Sequence, residues 1–195
     1  KALKDELNNL GAQNERNYIL IAESNLNDVK YIDHPDRGGF GLDAQWSDDF
    51  HHAFHSLVTG EKNGYYMDYG DLEHFEKALK QAFVYDGNYS PFRKKSYGSK
   101  TENFDADNFV IFQQNHDQTG NRKNGERLIE ITDFETAKVA AATMLISPNI
   151  PMLFMGEEYA ERHPFLYFVS HEDDELNRLV KEGRQLEFKD FQTDN

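Results

Sequence analysis

Two carboxylates stand where apolar runs give way to polar residues. Tyr18-Ile19-Leu20-Ile21-Ala22 leads into Glu23-Ser24-Asn25, and Phe109-Val110-Ile111-Phe112-Gln113 leads into Gln114-Asn115-His116-Asp117-Gln118. Each apolar run reads as a buried strand, and barrel and open α/β enzymes present their catalytic groups at strand ends. Asp117, in a row of side chains able to bind or ionise, is the first candidate for chemistry, and Glu23 the second. Glu157-Glu158 follows a third apolar run, Pro151 to Gly156. His51 and His55 are spaced to share one helical face, which is metal-ligand geometry. No third ligand accompanies them, and no metal is expected.

The elements that must hold these groups alternate. Leu3, Leu7 and Leu10 form a helical stripe over Lys1 to Leu10, with Gly11 at the expected C-terminal cap. The first strand is Tyr18 to Ala22, and Gly38 to Ala44 reads as a shorter second one. Ser47-Asp48-Asp49 can cap a helix over Phe50 to Val58 that Thr59-Gly60 closes, and Asp71 can cap another through Leu72, Phe75, Ala78, Leu79 and Ala82. Residues 61–108 form a polar and aromatic excursion before the strand at Phe109. A long polar loop follows, then a helix from Asp133 that Pro148 stops, a last strand from Pro151 to Gly156, and a closing helix over Asp173 to Lys181. Strands alternating with helices imply an α/β fold with a parallel sheet and its functional groups at the carboxyl ends.

The chain has 195 residues, enough for a domain with a real core. Its 35 acidic against 21 basic residues give a net charge of −14, which repels phosphate backbones and anionic lipid surfaces. Neither nucleic acid nor a membrane is expected as partner. With no cysteine there are no disulfides or thiolate metal sites, which fits a cytoplasmic protein. The longest apolar window, Val139 to Met155, is interrupted by Ser147, Pro148, Asn149 and Pro151, too short and broken to span a bilayer. Lys1 to Leu7 carries acids in place of an apolar signal core and lacks an initiating Met, and reads as a cut inside a helix.

Glu23 and Asn115-His116-Asp117 resemble the α-amylase superfamily of glycosidases. Four blocks in order, Leu20-Ile21-Ala22-Glu23, Gly41 to His52, Gln114 to Arg122 and Leu153 to Tyr159, resemble more closely the maltooligosyltrehalose trehalohydrolases. The resemblance covers nearly the whole chain. It implies that residues 1–195 are the C-terminal half of a TIM (β/α)8 barrel, strands 5–8 and their helices, from an enzyme that releases trehalose by cleaving the α-1,4 bond adjoining it. A complete barrel takes about 250 residues, which agrees with half of one plus an insertion. The family's nucleophilic Asp ends the fourth strand, so it falls upstream of Lys1, and these residues alone are expected to be inactive. Gly39-Phe40-Gly41-Leu42-Asp43-Ala44 imitates the nucleophile motif but has Gly41 where that motif has Arg, and Asp43 follows Glu23 where the nucleophile precedes the acid. Asp43 is therefore read as a structural residue of the sixth strand.

By the same resemblance Glu23 is the acid/base that protonates the leaving oxygen, and Asp117 the carboxylate that stabilises the oxocarbenium-like transition state without bonding to it. His116 matches a sugar-contacting His or is a satisfied structural one, and Asn115 orients the loop. Substrate contacts are expected at Trp46, Asp48, Asp49, His51, His52, Gln118 and Asn121. Trp46 has core packing as its alternative, and Asp48 and Asp49 have helix capping. Tyr65, Tyr66, Tyr69, Tyr85 and Tyr89 are either a sugar platform or rim packing. One of Glu157 and Glu158 bonds sugar or a loop Arg, unless the pair is bound to backbone N–H groups. No redox cofactor or catalytic metal is implied, the partner is a maltooligosaccharide, and open barrel edges favour self-association. A branching enzyme or amylase of the superfamily, or a noncatalytic carbohydrate-binding half-barrel, are the rival readings.

Overall fold

A computed structural model describes residues 2–190. Along the chain lie α1 (Ala2–Asn14), β1 (Ile21–Ala22), β2 (Ala44–Trp46), α2 (Asp48–Thr59), α3 (Leu72–Gln81), a hairpin of β3 (Tyr89–Ser90) and β4 (Lys95–Ser96), β5 (Phe109–Ile111), α4 (His116–Gly120), α5 (Leu128–Ile131), α6 (Phe134–Ile146), β6 (Ile150–Pro151) and α7 (Asp174–Asp190). Strands β1, β2, β5 and β6 form one four-stranded sheet in that order. Every pairing in it is parallel, with Ile21 opposite Ala44, Gln45 opposite Phe109, and Val110 opposite Ile150. The α/β reading therefore stands, and the sheet has the strand order of a half-barrel.

Side chains alternate across the sheet. Ile111 packs on the helix side with Phe50, Ala53, Phe54, Phe75, Ala140 and Met144 in the main apolar cluster. Trp46 and Val110 share the other face. Helix α2 forms where expected because Ser47 accepts from the Phe50 N–H at its start and Gly60, at φ 74°, closes it in the left-handed region. Its apolar stripe meets α3 through Phe75, whose ring lies 5.7 Å from Phe50 and 5.1 Å from Phe54. Asp133 caps α6 by accepting from Thr136 N–H at 2.8 Å.

Several boundaries differ from expectation: β1 spans only Ile21–Ala22 of the expected Tyr18 to Ala22, and α7 runs to Asp190 rather than Lys181. Helix α1 runs through Gly11 to Asn14; Gly11 is buried inside it, where a Cβ would come within 2.5 Å of the Arg16 carbonyl oxygen. Lys1, where that helix was expected to begin, lies outside the described residues. The stretch Gly38 to Asp43 is a turn rather than a strand: Gly38 and Gly41 have φ of 88° and 70°, and a Cβ on Gly39 would sit 2.0 Å from the Asp33 carbonyl oxygen. The strand is Ala44–Trp46 instead. The loop after β5 contains α4 and α5, because Asn115 accepts from both Asp117 and Gln118 N–H and nucleates a helical turn. Finally, β6 ends at Pro151, several residues short of Gly156.

Candidate active site

Because the four strands are parallel, the residues after each one gather on one rim. Glu23 follows β1, Ser47 and Asp48 follow β2, and Asn115, His116 and Asp117 follow β5. His116 Nε2 comes within 3.5 Å of Glu23 Oε1, with both side chains slightly more than half exposed, at 55% and 56%. Glu23 thus stands open to water rather than enclosed by its apolar strand. Trp46 lies edge-on to Phe112 at 5.2 Å and to His116 at 6.1 Å, so its ring both packs against the strand and borders the rim.

Asp117 is held from the side. Its Oδ1 accepts from Asn121 Nδ2, and Asn121 Oδ1 in turn accepts from the Arg184 guanidinium of α7. Arg184 also lies over the Tyr167 ring, 4.2 Å from its centre. Asp48 completes the carboxylate group on the rim: burial first, then the charges of Asp49, Asp117 and Glu23, raise its carboxyl to about 7.

Asp49, one residue on, has a different place. It is 2% exposed. Its carboxylate accepts from Asn27 Nδ2 at 2.7 Å, Tyr69 OH at 2.6 Å, Val84 N–H at 2.7 Å and Tyr85 N–H at 2.9 Å. The expectation that Asp49 binds substrate is therefore corrected. It neither caps α2 nor faces the rim, but ties α2 to Asn27 and to the segment just after α3.

A layer of histidines lies beside it. His51 sits 2.6 Å from the Gln113 carbonyl oxygen through Nδ1 and 2.8 Å from the Tyr66 hydroxyl through Nε2, so both ring nitrogens are engaged. With the ring buried as well, His51 is a packing and positioning residue rather than a sugar contact. His52 is buried among Tyr65, Tyr66 and Tyr69, with ring centres 4.4 to 5.6 Å away, and burial lowers its pKa to about 3. His52 is 7% exposed, and its Nδ1 has no hydrogen-bond partner among the described residues. His55 stacks on Tyr66 at 4.4 Å and bonds Glu61 at 2.7 Å. Glu61 also takes Arg122 bidentately at 2.8 and 2.9 Å, and these partners, His55 foremost, hold its carboxyl at about 2. Among the described residues no cluster of three or more metal-ligating side chains occurs, so His51 and His55 have no third partner for a cation.

Asp43 lies at the opposite end of the strands from Glu23, since it precedes β2 while Glu23 follows β1. Its carboxylate accepts from Leu20 N–H at 2.7 Å and from Lys4 at 2.5 Å. At the last strand, Glu157 turns back to accept from Phe154 N–H at 2.9 Å and burial raises its carboxyl to about 7, while Glu158 is exposed. Gln118 is buried on α4 beside Asp117, and Asn121 is exposed at the residue that ends that helix. Asn27, Glu61 and Arg122 had no standing in the sequence reading. The partners of Asn27, and the pairing of Glu61 with Arg122, lie tens of residues away and leave no local signal.

No family model matches the chain. It is 50% identical over 169 residues to a malto-oligosyltrehalose trehalohydrolase of Saccharolobus solfataricus, covering 87% of this chain and 30% of the relative. With proteins of the same name it shares 44% identity in Rhizobium sp. (strain M-11), over 96% of this chain and 31% of the relative, and 36% in Deinococcus radiodurans, over 97% and 30%. A crystal structure from Salmonella typhimurium, provisionally named an alpha amylase, superposes with a TM-score of 0.83 at 43% identity over 93% of this chain and 31% of that one. The chain spans less than a third of the length of each of these proteins. The rim and the matching relatives lead to one placement: this chain is related, over nearly all of its length, to one segment of the malto-oligosyltrehalose trehalohydrolases, within the α-amylase group of α/β glycosidases.

Proposed function

We propose that this chain is part of a glycoside hydrolase that cleaves the α-1,4 bond adjoining the trehalose end of a maltooligosyltrehalose. The observation that carries the reading is the meeting of Glu23 with His116 beside Asp117, from two separate strands, in a chain whose relatives share one name. Glu23 protonates the leaving oxygen, and its exposure on the rim leaves it reachable by substrate. Asp117, fixed by Asn121, faces the sugar and stabilises the positive charge that develops at the anomeric carbon. His116 donates to a sugar hydroxyl from one ring nitrogen. Trp46 and Asp48 border the same mouth. Retention requires a further carboxylate about 5–5.5 Å from the acid, on the other face of the sugar. The resemblance assigns that nucleophile to a strand ahead of Glu23, and on this reading the 195 residues alone are inactive.

The test uses the full reading frame that contains this chain. Glu23→Gln and Asp117→Asn should each lower kcat for trehalose release by about 10²–10⁴-fold, with kcat/KM falling by the same factor where binding is untouched. Trehalose release by Glu23→Gln at the unmodified rate would overturn the assignment. A second reading, amylase-type hydrolysis, is favoured by the name given to the Salmonella typhimurium structure. It would show as turnover of maltooligosaccharides that lack a trehalose end. Placement in the cytoplasm and association through the exposed β1 edge, where Ile19 and Ile21 are 66% and 44% exposed, belong to the same proposal.

A further inference from the structure

We infer that Glu61 is a positioning residue for the rim: through Arg122 it holds the short helix that carries Asp117 in the orientation the reaction needs, without touching substrate itself. The inference rests on the glycosidase reading and deepens it. Glu61 follows the left-handed Gly60 that closes α2, and its N–H donates to the Thr59 hydroxyl at 3.1 Å. That turn folds the chain back over the end of α2, which brings the Glu61 carboxylate within 2.7 Å of His55 Nε2. His55 is buried with its ring stacked on Tyr66, and α2 is seated in the main apolar cluster through Phe50, Ala53 and Phe54. Glu61 is thus mounted on the packed body of the fold.

Arg122 reaches Glu61 from just past α4. That helix has five residues, too few to keep its shape by internal hydrogen bonds alone. Asn115 fixes its start, and its far end depends on Asn121 and Arg122. Asn121 donates its N–H to the Asp117 carbonyl at 2.9 Å and its side-chain amide to the Asp117 carboxylate, and Arg122 donates its N–H to the Thr119 carbonyl at 3.2 Å. The Arg122 guanidinium then takes Glu61 in a fork, with one bond to each carboxylate oxygen at 2.9 and 2.8 Å, and Glu126 stands 3.4 Å from the same guanidinium. The two side chains are 21% and 26% exposed, and a forked pair so screened from water fixes direction as well as distance. Arg184 of α7 grips Asn121 from outside, whereas the Glu61 fork ties the same segment to α2. A stabilising carboxylate works only where it faces the developing charge, and a displacement of about 1 Å can cost about 10²-fold in rate. Loss of the fork therefore reaches kcat by way of Asp117.

The test is a double-mutant cycle in the full reading frame: trehalose release from a maltooligosyltrehalose by Glu61→Gln, by Asp117→Asn and by the two together, with thermal unfolding of each protein. Gln keeps the shape of Glu and removes the charge that holds the fork. Glu61→Gln should lower kcat about 10- to 100-fold and leave KM within about twofold, because the contact it displaces is made in the transition state. Added to Asp117→Asn, it should lower the residual kcat by less than about twofold, since a positioning residue then has nothing left to position. An equal fold-loss in both backgrounds would overturn the inference by making Glu61 a general support of the fold, and so would a folded Glu61→Gln protein with unchanged kcat. Should Glu61→Gln fail to fold, Arg122→Lys carries the same cycle, because it keeps the charge and loses the fork. Full turnover by Asp117→Asn would instead sink the glycosidase reading, and the inference with it.

Discussion

Asp48 and Asp49 are adjacent in the first turn of α2, yet one belongs to the rim and the other to the layer beneath it. Asp49 has every bond it needs inside the fold, from two side chains and two backbone amides. Asp48 keeps company with the carboxylates of Glu23 and Asp117, which oppose its ionisation. The same contrast separates His51, engaged at both nitrogens, from His116, half exposed beside Glu23. Groups whose hydrogen bonds are closed internally fix the shape. Groups left open, or crowded by like charge, are the ones a ligand can still satisfy.

The largest effect should come from the closed side of this contrast. Asp49→Ala strands two buried side-chain donors and two backbone N–H groups, and each buried donor left unsatisfied costs about 1–3 kcal/mol. Thermal unfolding should show a marked fall in Tm, and a Tm unchanged by this variant would end the distinction between layer and rim. Asp48→Asn should act in the opposite sense and only at high pH. With a folded pKa near 7 against 3.8, the fold binds a proton that the unfolded chain has released, so stability falls as pH rises from about 4 to 7 and stays low above that. Asn cannot ionise, so at pH 8 the variant should gain up to about 4 kcal/mol and at pH 4 almost nothing. Melting curves at the two pH values decide it; equal shifts at both would mean that charge crowding is not what separates the two residues. Asp43→Asn should be mildest, losing about 0.5–1 kcal/mol with its partly exposed Lys4 pair, while turnover in the full reading frame persists. Loss of turnover in a normally folded Asp43→Asn protein would instead make Asp43 the nucleophile.

What was readable in the sequence is what local chemistry decides. Ser47 and Gly60 bound α2 through bonds made within a few residues, and the apolar runs before Glu23 and Asp117 mark the strands that place them. Two kinds of feature were not readable. The Gly38–Asp43 turn looks like a strand until the close approach of Gly39 to Asp33 is seen. The block from Trp46 to His52 looks uniform as sequence, whereas a helix turns successive side chains in different directions. Trp46 and Asp48 therefore stay at the mouth, and Asp49, His51 and His52 go inward. Their destinations depend on Asn27, Tyr66, Tyr69 and Gln113, none of which is a near neighbour in the chain.

The pairing of Trp46 with Val110 closes the whole excursion between β2 and β5, and this sets an order of events in folding. Contacts between α2 and α3 join residues close in sequence and form early, whereas a parallel pairing across so long a loop is rewarded only after the loop entropy has been met. Helical signal should therefore return before the rim is assembled during refolding. Trp46, the single tryptophan of these 195 residues, sits against Phe112 and His116 at that closing seam. Its fluorescence is a built-in clock for the step that brings the strand ends together.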